Sequence, residues 1–283
     1  MIIQRKISVG DVLTSYYEDG ADKPIVLLHG AGPFAEAMPS FIRQLHGLSD
    51  RYRVIAPDQL HFGETGYPAD HKYINRIGRV EHVIGFIDVL GLKDVTLVGH
   101  SEGAFVAARV AIVRPDLVSR LVLLTASAIS PVWGDHRDDP WMKACREHYD
   151  YSRPMPSEDE YISTWRKGCH AYAPDLEDAQ RAAYRRAAAR GQYGMFQTAP
   201  QEESDPFLYV QLQQKYIFPL LHLLQAETMI IWSKNDPTVP PERGLMLAKL
   251  IENSDFHLLN NAGHAVQTDR SEAVNALIRQ WCG

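Results

Sequence analysis

Residues 99–103 read Gly-His-Ser-Glu-Gly, a serine at the apex of a tight turn between two glycines. The preceding residues 95–98 are apolar and read as a strand, and residues 104–113 read as a helix. A G-x-S-x-G turn between strand and helix is the setting in which a serine hydroxyl is exposed as a nucleophile. Gly99 and Gly103 let strand and helix pack closely while Ser101 takes a cramped backbone conformation. A serine hydroxyl is a weak nucleophile, so it needs a general base that is itself oriented by an acid. With this turn the expected chain order is serine, acid, histidine. His264, in NNAGHAVQ, follows the apolar run 256–259, and Asp236, in WSKNDPTVP, follows the apolar run 229–232. Asp135, downstream of the run 121–124, is the alternative acid. Negative charge developing on an attacked carbonyl needs preorganised backbone donors. The amide of Glu102, at the start of a helix, is one. The second is expected in HGAGP, residues 29–33, with Ala31 as the donor. The chemistry is nucleophilic attack on a carbonyl.

The elements that must hold these groups follow from apolar periodicity. Residues 2–18 suggest a hairpin. Strands are expected at 25–28, 53–56, 95–98, 121–124, 229–232 and 256–259. Helices are expected near 36–47, 73–90, 104–113, 242–251 and 271–281. Val80, Val83, Ile84, Ile87 and Leu90 share one face of the second helix. Short apolar strands separated by helices imply a mostly parallel sheet covered on both faces, an α/β fold. Residues 131–225 differ: they are rich in proline, charge and aromatics such as Trp133, Trp141, Tyr149, Tyr151, Trp165, Tyr172 and Tyr184, and little there reads as a strand. A helical lid over 131–225, inserted into a core of residues 1–130 and 226–283, accounts for the shift. Within it Arg181, Arg185, Arg186 and Arg190 recur at helical spacing and read as a solvated face or as a substrate contact.

A net charge of −6 over 283 residues gives no electrostatic reason to expect nucleic acid. No run approaches the ~18 apolar residues of a membrane helix. The opening MIIQRKISVG lacks the apolar stretch of a secretory signal. Cys145, Cys169 and Cys282 are odd in number and far apart, which suits a reducing compartment and excludes zinc-finger spacing. The expectation is a cytoplasmic enzyme acting on a small molecule without cofactor or metal. Whether it forms a homo-oligomer is left open.

With these residues in order, IVLLHGAGP, VIAPDQLHFGET, LVGHSEGA, WSKNDPTVP and NAGHA together resemble the α/β-hydrolase superfamily over nearly the whole chain. The HGAGP turn, the 131–225 segment and the stretch DLEDAQRAAYRRAA are similar to the meta-cleavage product hydrolases. That resemblance implies cleavage of a carbon–carbon bond in a vinylogous diketo acid. The chain departs from that pattern where substrate is held. The subfamily has asparagine before its nucleophile, where His100 stands. It has tryptophan after its histidine, where Ala265 stands, and asparagine near the place of Ser40. Gly32 lies in the oxyanion turn, and Arg166 stands near the lid arginine that binds the substrate carboxylate. The resemblance therefore implies the catalytic groups and leaves the substrate open. A carboxylesterase or lactonase, a lyase or cofactor-free oxygenase, and a ligand receptor remain alternatives on the same scaffold. Glu102 is unusual after a nucleophile, and its side chain either faces the substrate or is satisfied by lid residues.

Overall fold

The computed structural model describes residues 1–170, 173–200, 203 and 205–283; Tyr172 lies outside the described residues. Strands β1 (Ile3–Val9) and β2 (Val12–Asp19) form the expected hairpin. The chain then alternates: β3 (Pro24–Leu28), α1 (Ala37–Leu48), β4 (Arg53–Pro57), α2 (Arg76–Val89), β5 (Val95–His100), α3 (Glu102–Val113) and β6 (Val118–Leu124). Helices α4 (Asp139–His148), α5 (Glu158–Gly168), α6 (Pro174–Ala189), α7 (Gln192–Gln197) and α8 (Pro206–Tyr216) follow, with no strand among the described residues of that segment. The alternation resumes with β7 (Glu227–Ser233), α9 (Pro241–Leu250), β8 (Ser254–Leu259), α10 (Val266–Asp269) and α11 (Ser271–Cys282).

The strands lie in the order β1-β2-β4-β3-β5-β6-β7-β8. From β4 to β8 all neighbours are parallel, and β2 is antiparallel to both β1 and β4. Both faces of β5 are buried, because side chains alternate across a strand and each face meets a helical layer. Val95 and Leu97 join the apolar cluster of α2 and α3, and Val98 joins that of α1 and α11. Parallel strands all end on the same side. The turns after β3, β5, β6, β7 and β8 therefore converge at their carboxyl ends, where open α/β sheets bind ligands.

The second helix begins at Arg76, three residues later than the apolar pattern suggests. The Asn75 side chain accepts a hydrogen bond from the Gly78 amide (3.0 Å) and caps it there. Its buried face also holds Arg76 and Arg79 beside Val80, Val83 and Ile87, a departure explained by the charge they meet at the site.

Candidate active site

Ser101 sits between β5 and α3 with φ 53° and ψ −115°. A non-glycine residue at positive φ is strained unless its surroundings impose it, and here the glycines on either side supply the imposition. A Cβ on Gly99 would lie 2.4 Å from the Gly103 carbonyl oxygen, and a Cβ on Gly103 would lie 2.3 Å from that of Leu28. Strand and helix thus approach closer than any side chain allows, and the serine between them is lifted out of the turn.

Ser101 Oγ lies 2.9 Å from His264 Nε2, and His264 Nδ1 lies 2.7 Å from Asp236 Oδ2. The Asp236 carboxylate is fully buried after β7. Its other oxygen accepts from the amides of Thr238 (2.9 Å) and Val239 (3.0 Å) and from the Thr238 hydroxyl. A carboxylate that only accepts requires His264 Nδ1 to carry the proton, which leaves Nε2 free to accept from Ser101. Burial opposes the charge on Asp236, and the facing imidazole together with these donors overcomes it, holding the carboxyl below its usual range. Burial by itself would push His264 down, yet the Asp236 carboxylate and its hydrogen bond raise it above the ordinary histidine value. Asp135, the alternative acid, instead pairs with Arg137 at the surface (2.8 Å) and caps a short helical turn.

The His264 loop is held from three sides. His100 Nε2 donates to the His264 carbonyl (3.0 Å), Thr125 Oγ1 donates to the same oxygen (2.6 Å), and the His264 amide donates to the Gly168 carbonyl at the end of α5 (3.2 Å). His100 was a candidate substrate contact. Its ring is buried against the His264 loop, and burial pushes its pKa down to about 3, so it acts as a neutral donor that fixes the loop.

The turn after β3 lies against Ser101. A Cβ on Gly30 would be 3.2 Å from Ser101 Cβ, and Gly32 adopts φ 112°, which suits glycine. His29 braces this turn: its Nε2 accepts from the Gln59 amide (3.0 Å) while Nδ1 donates to the Gly30 carbonyl (2.7 Å). Ala31 is half-buried between Gly30 and Gly32, and Glu102 opens α3, whose first amides have no partner within the helix.

The Glu102 side chain is buried. It is clamped by Arg76 (2.8 Å) and Arg79 of α2 and by the hydroxyl of Tyr209 in α8. Arg76 also pairs with Glu203, and Tyr149, just past α4, meets Tyr209 (2.7 Å). Burial opposes ionisation of Glu102, and the two guanidinium groups overcome it and hold the carboxyl well below the carboxylate range. The partners therefore come from the core helix α2 as much as from the helical segment. The sequence signal was Glu102 itself, because a buried carboxylate demands cations nearby. Arg76 and Arg79 fall one helical turn apart on the buried face of α2.

The remaining candidates are spread. Ser40 is half-buried on α1, and Ala265 precedes α10 beside His264. Arg166 does not stand as an open carboxylate site: its half-exposed guanidinium is engaged by Glu177 of α6 (2.5 Å). The arginine run on α6 is not a uniformly solvated face either. Arg181 and Arg185 pair with Glu158 on α5, whereas Arg186 reaches the buried Glu36 and Arg190 the Thr65 carbonyl (2.8 Å). These last two dock α6 onto the core. Phe34, just past the 29–33 turn, packs its ring against Tyr161 (4.7 Å) and Tyr184 (4.8 Å) of the helical segment.

Against known proteins, the alpha/beta hydrolase family model matches residues 25–277. A 2-hydroxy-6-oxo-2,4-heptadienoate hydrolase of Pseudomonas putida is 29% identical, covering 99% of this chain and 96% of its own. A 2-hydroxymuconate semialdehyde hydrolase of a Pseudomonas species is 26% identical over 98% and 92%. The solved structure of a meta-cleavage product hydrolase from Pseudomonas fluorescens superposes with a TM-score of 0.78. It is 26% identical, covering 97% of this chain and 95% of that one.

Proposed function

Because the chain belongs to the alpha/beta hydrolase family and is a hydrolase, we propose that it is one of the serine type and cleaves a carbon–carbon bond in a small 2-hydroxy-6-oxo-dienoate. Its nucleophile, base and acid are Ser101, His264 and Asp236. The observation that carries this reading is the unbroken chain from Asp236 through His264 to a strained Ser101, at 2.7 and 2.9 Å. Ser101 Oγ attacks the ketone carbon as its proton passes to His264 Nε2. Asp236 stabilises the imidazolium that forms. The amides of Ala31 and Glu102 receive the oxyanion. Collapse of the adduct breaks the carbon–carbon bond. This requires the bound substrate in its 2-oxo tautomer, in which the 2-hydroxyl proton has moved to the carbon that leaves: the electron pair then spreads through the enone to the 2-oxygen, which takes the proton from His264, and an acyl ester remains on Ser101. Water, deprotonated by His264, then releases the acid. No step calls for a cofactor.

Helices α4–α8 serve as the lid, which Phe34, Tyr161 and Tyr184 pack onto the turn after β3. Three free thiols support a reducing, cytoplasmic setting, and no helix among the described residues is long and apolar enough to cross a membrane.

The test is a panel run on the purified protein. Loss of the dienolate chromophore of 2-hydroxy-6-oxo-2,4-heptadienoate is followed beside hydrolysis of p-nitrophenyl acetate and simple lactones. The dienoate should be preferred in kcat/KM by about a hundredfold or more. Preference for the ester or lactone would move the assignment to a carboxylesterase or lactonase. The pH dependence checks the base separately. Only neutral imidazole accepts the Ser101 proton, and Asp236 raises His264 above its ordinary value. The rate should therefore rise with pH with a midpoint above about 6.5. A midpoint well below that, with chemistry rate-limiting, would contradict the Asp236–His264 coupling.

A further inference from the structure

The turn that follows β6 is directed at both ends of the catalytic chain. Thr125 has φ 38°, a left-handed conformation that a β-branched residue adopts only when its surroundings enforce it. That kink has two visible consequences. It carries Thr125 Oγ1 onto the His264 carbonyl (2.6 Å), and it turns the chain so that Ser127 Oγ lies 3.2 Å from Ser101 Oγ. The turn is firmly held. The Thr125 amide donates to Ile231 (2.9 Å), Ser130 Oγ donates to the Ser127 carbonyl (3.1 Å), and the buried Gln213 of α8 donates to the Ala128 carbonyl (2.9 Å). Arg243, fully buried, donates to the Ser130 carbonyl (2.8 Å).

Proton accounting sets the direction of the contact between the two serines. Ser101 has one hydroxyl proton, and it points to His264 Nε2, so Ser101 Oγ must accept from Ser127. We propose that Ser127 is a positioning residue that donates a hydrogen bond to the nucleophilic oxygen, and that the strained turn 125–127 exists to aim it while Thr125 sets the base. This rests on Ser101 being the nucleophile. A donor fixed on Oγ holds the Ser101 rotamer towards His264. It also becomes stronger as the oxygen gains negative charge on losing its proton, because hydrogen bonds to charged acceptors are the stronger class. Once Oγ is an ester oxygen it accepts poorly, and the Ser127 hydroxyl is released towards the acyl group beside it. The effect therefore falls on formation of the acyl-enzyme.

Two readouts report that step directly: the rate at which a fluorophosphonate labels Ser101, and the single-turnover burst with p-nitrophenyl acetate. Ser127→Ala should slow both by about tenfold, with KM changed by less than about twofold. Ser127→Thr, which keeps the hydroxyl, should return both to within about threefold of the unsubstituted protein. Thr125→Val, equal in shape without the hydroxyl, should slow them by only about threefold, since His100 still holds the His264 carbonyl. Ser127→Ala acylating at the unsubstituted rate would overturn the proposal. So would slow acylation that Ser127→Thr fails to restore, because the loss would then be one of packing. Absence of labelling at Ser101 in the unsubstituted protein is a different failure, and it would remove the nucleophile assignment itself.

Discussion

Ser101→Ala and His264→Ala should each lower kcat/KM on the preferred substrate by roughly 10³-fold or more, and the double substitution should cost little beyond either one. The two side chains share one proton at 2.9 Å, so removing either removes the same step. What remains in each variant is the rate from substrate positioning and the Ala31 and Glu102 amides, which neither substitution touches. Fold integrity should survive, because the His264 carbonyl and amide, and not its ring, hold that loop through His100, Thr125 and Gly168. Steady-state kinetics on the three variants, with circular dichroism as the folding control, checks this. Losses that multiply in the double variant would mean that the residues act in separate steps.

Asp236→Asn should reduce turnover by about 10²–10⁴-fold while leaving KM nearly unchanged. The substituted amide still accepts from the Thr238 and Val239 amides through its oxygen, so the turn after β7 should keep its shape. It then presents an NH₂ group to His264 Nδ1. The imidazole must accept there, its proton moves to Nε2, and the atom facing Ser101 becomes a donor that cannot take the serine proton. The loss is one of tautomer and not of structure, and it should appear with an unchanged thermal midpoint. Asp135→Asn is the control: Asp135 is paired with Arg137 at the surface, and its substitution should leave the rate near that of the unsubstituted protein. The opposite pattern would transfer the acid role to Asp135.

That Ser101, Asp236 and His264 meet was readable in the sequence because each lies just beyond an apolar run, and parallel strands bring such positions together without regard to chain separation. The glycines on either side of Ser101 were readable for a local reason, a turn too tight for a Cβ. The start of α2 was misjudged because a capping side chain, Asn75, overrode the apolar period by three residues. The ion pair of Arg166 was not legible because a lone arginine on a helix says nothing of the partner across from it, and Glu177 is supplied by another helix. The clamp on Glu102 draws on α2 and α8 with Tyr149 and residue 203, and its members are 23 to 107 residues away from the glutamate.

By itself, then, the sequence determined the local geometry: which segments are strands and helices, where the serine must be strained, and which groups stand at the strand ends. Those properties depend on periodicity and on steric limits within a few residues. The tertiary structure alone decided which charges neutralise Glu102, which arginines of α6 dock onto the core, and that Thr125 and Ser127 reach His264 and Ser101. Each of these depends on a distance between elements that meet only once the sheet is assembled. Hydrogen bonds and ion pairs are short-ranged and directional, so a shift of one helical turn would exchange their partners while leaving the sequence pattern the same.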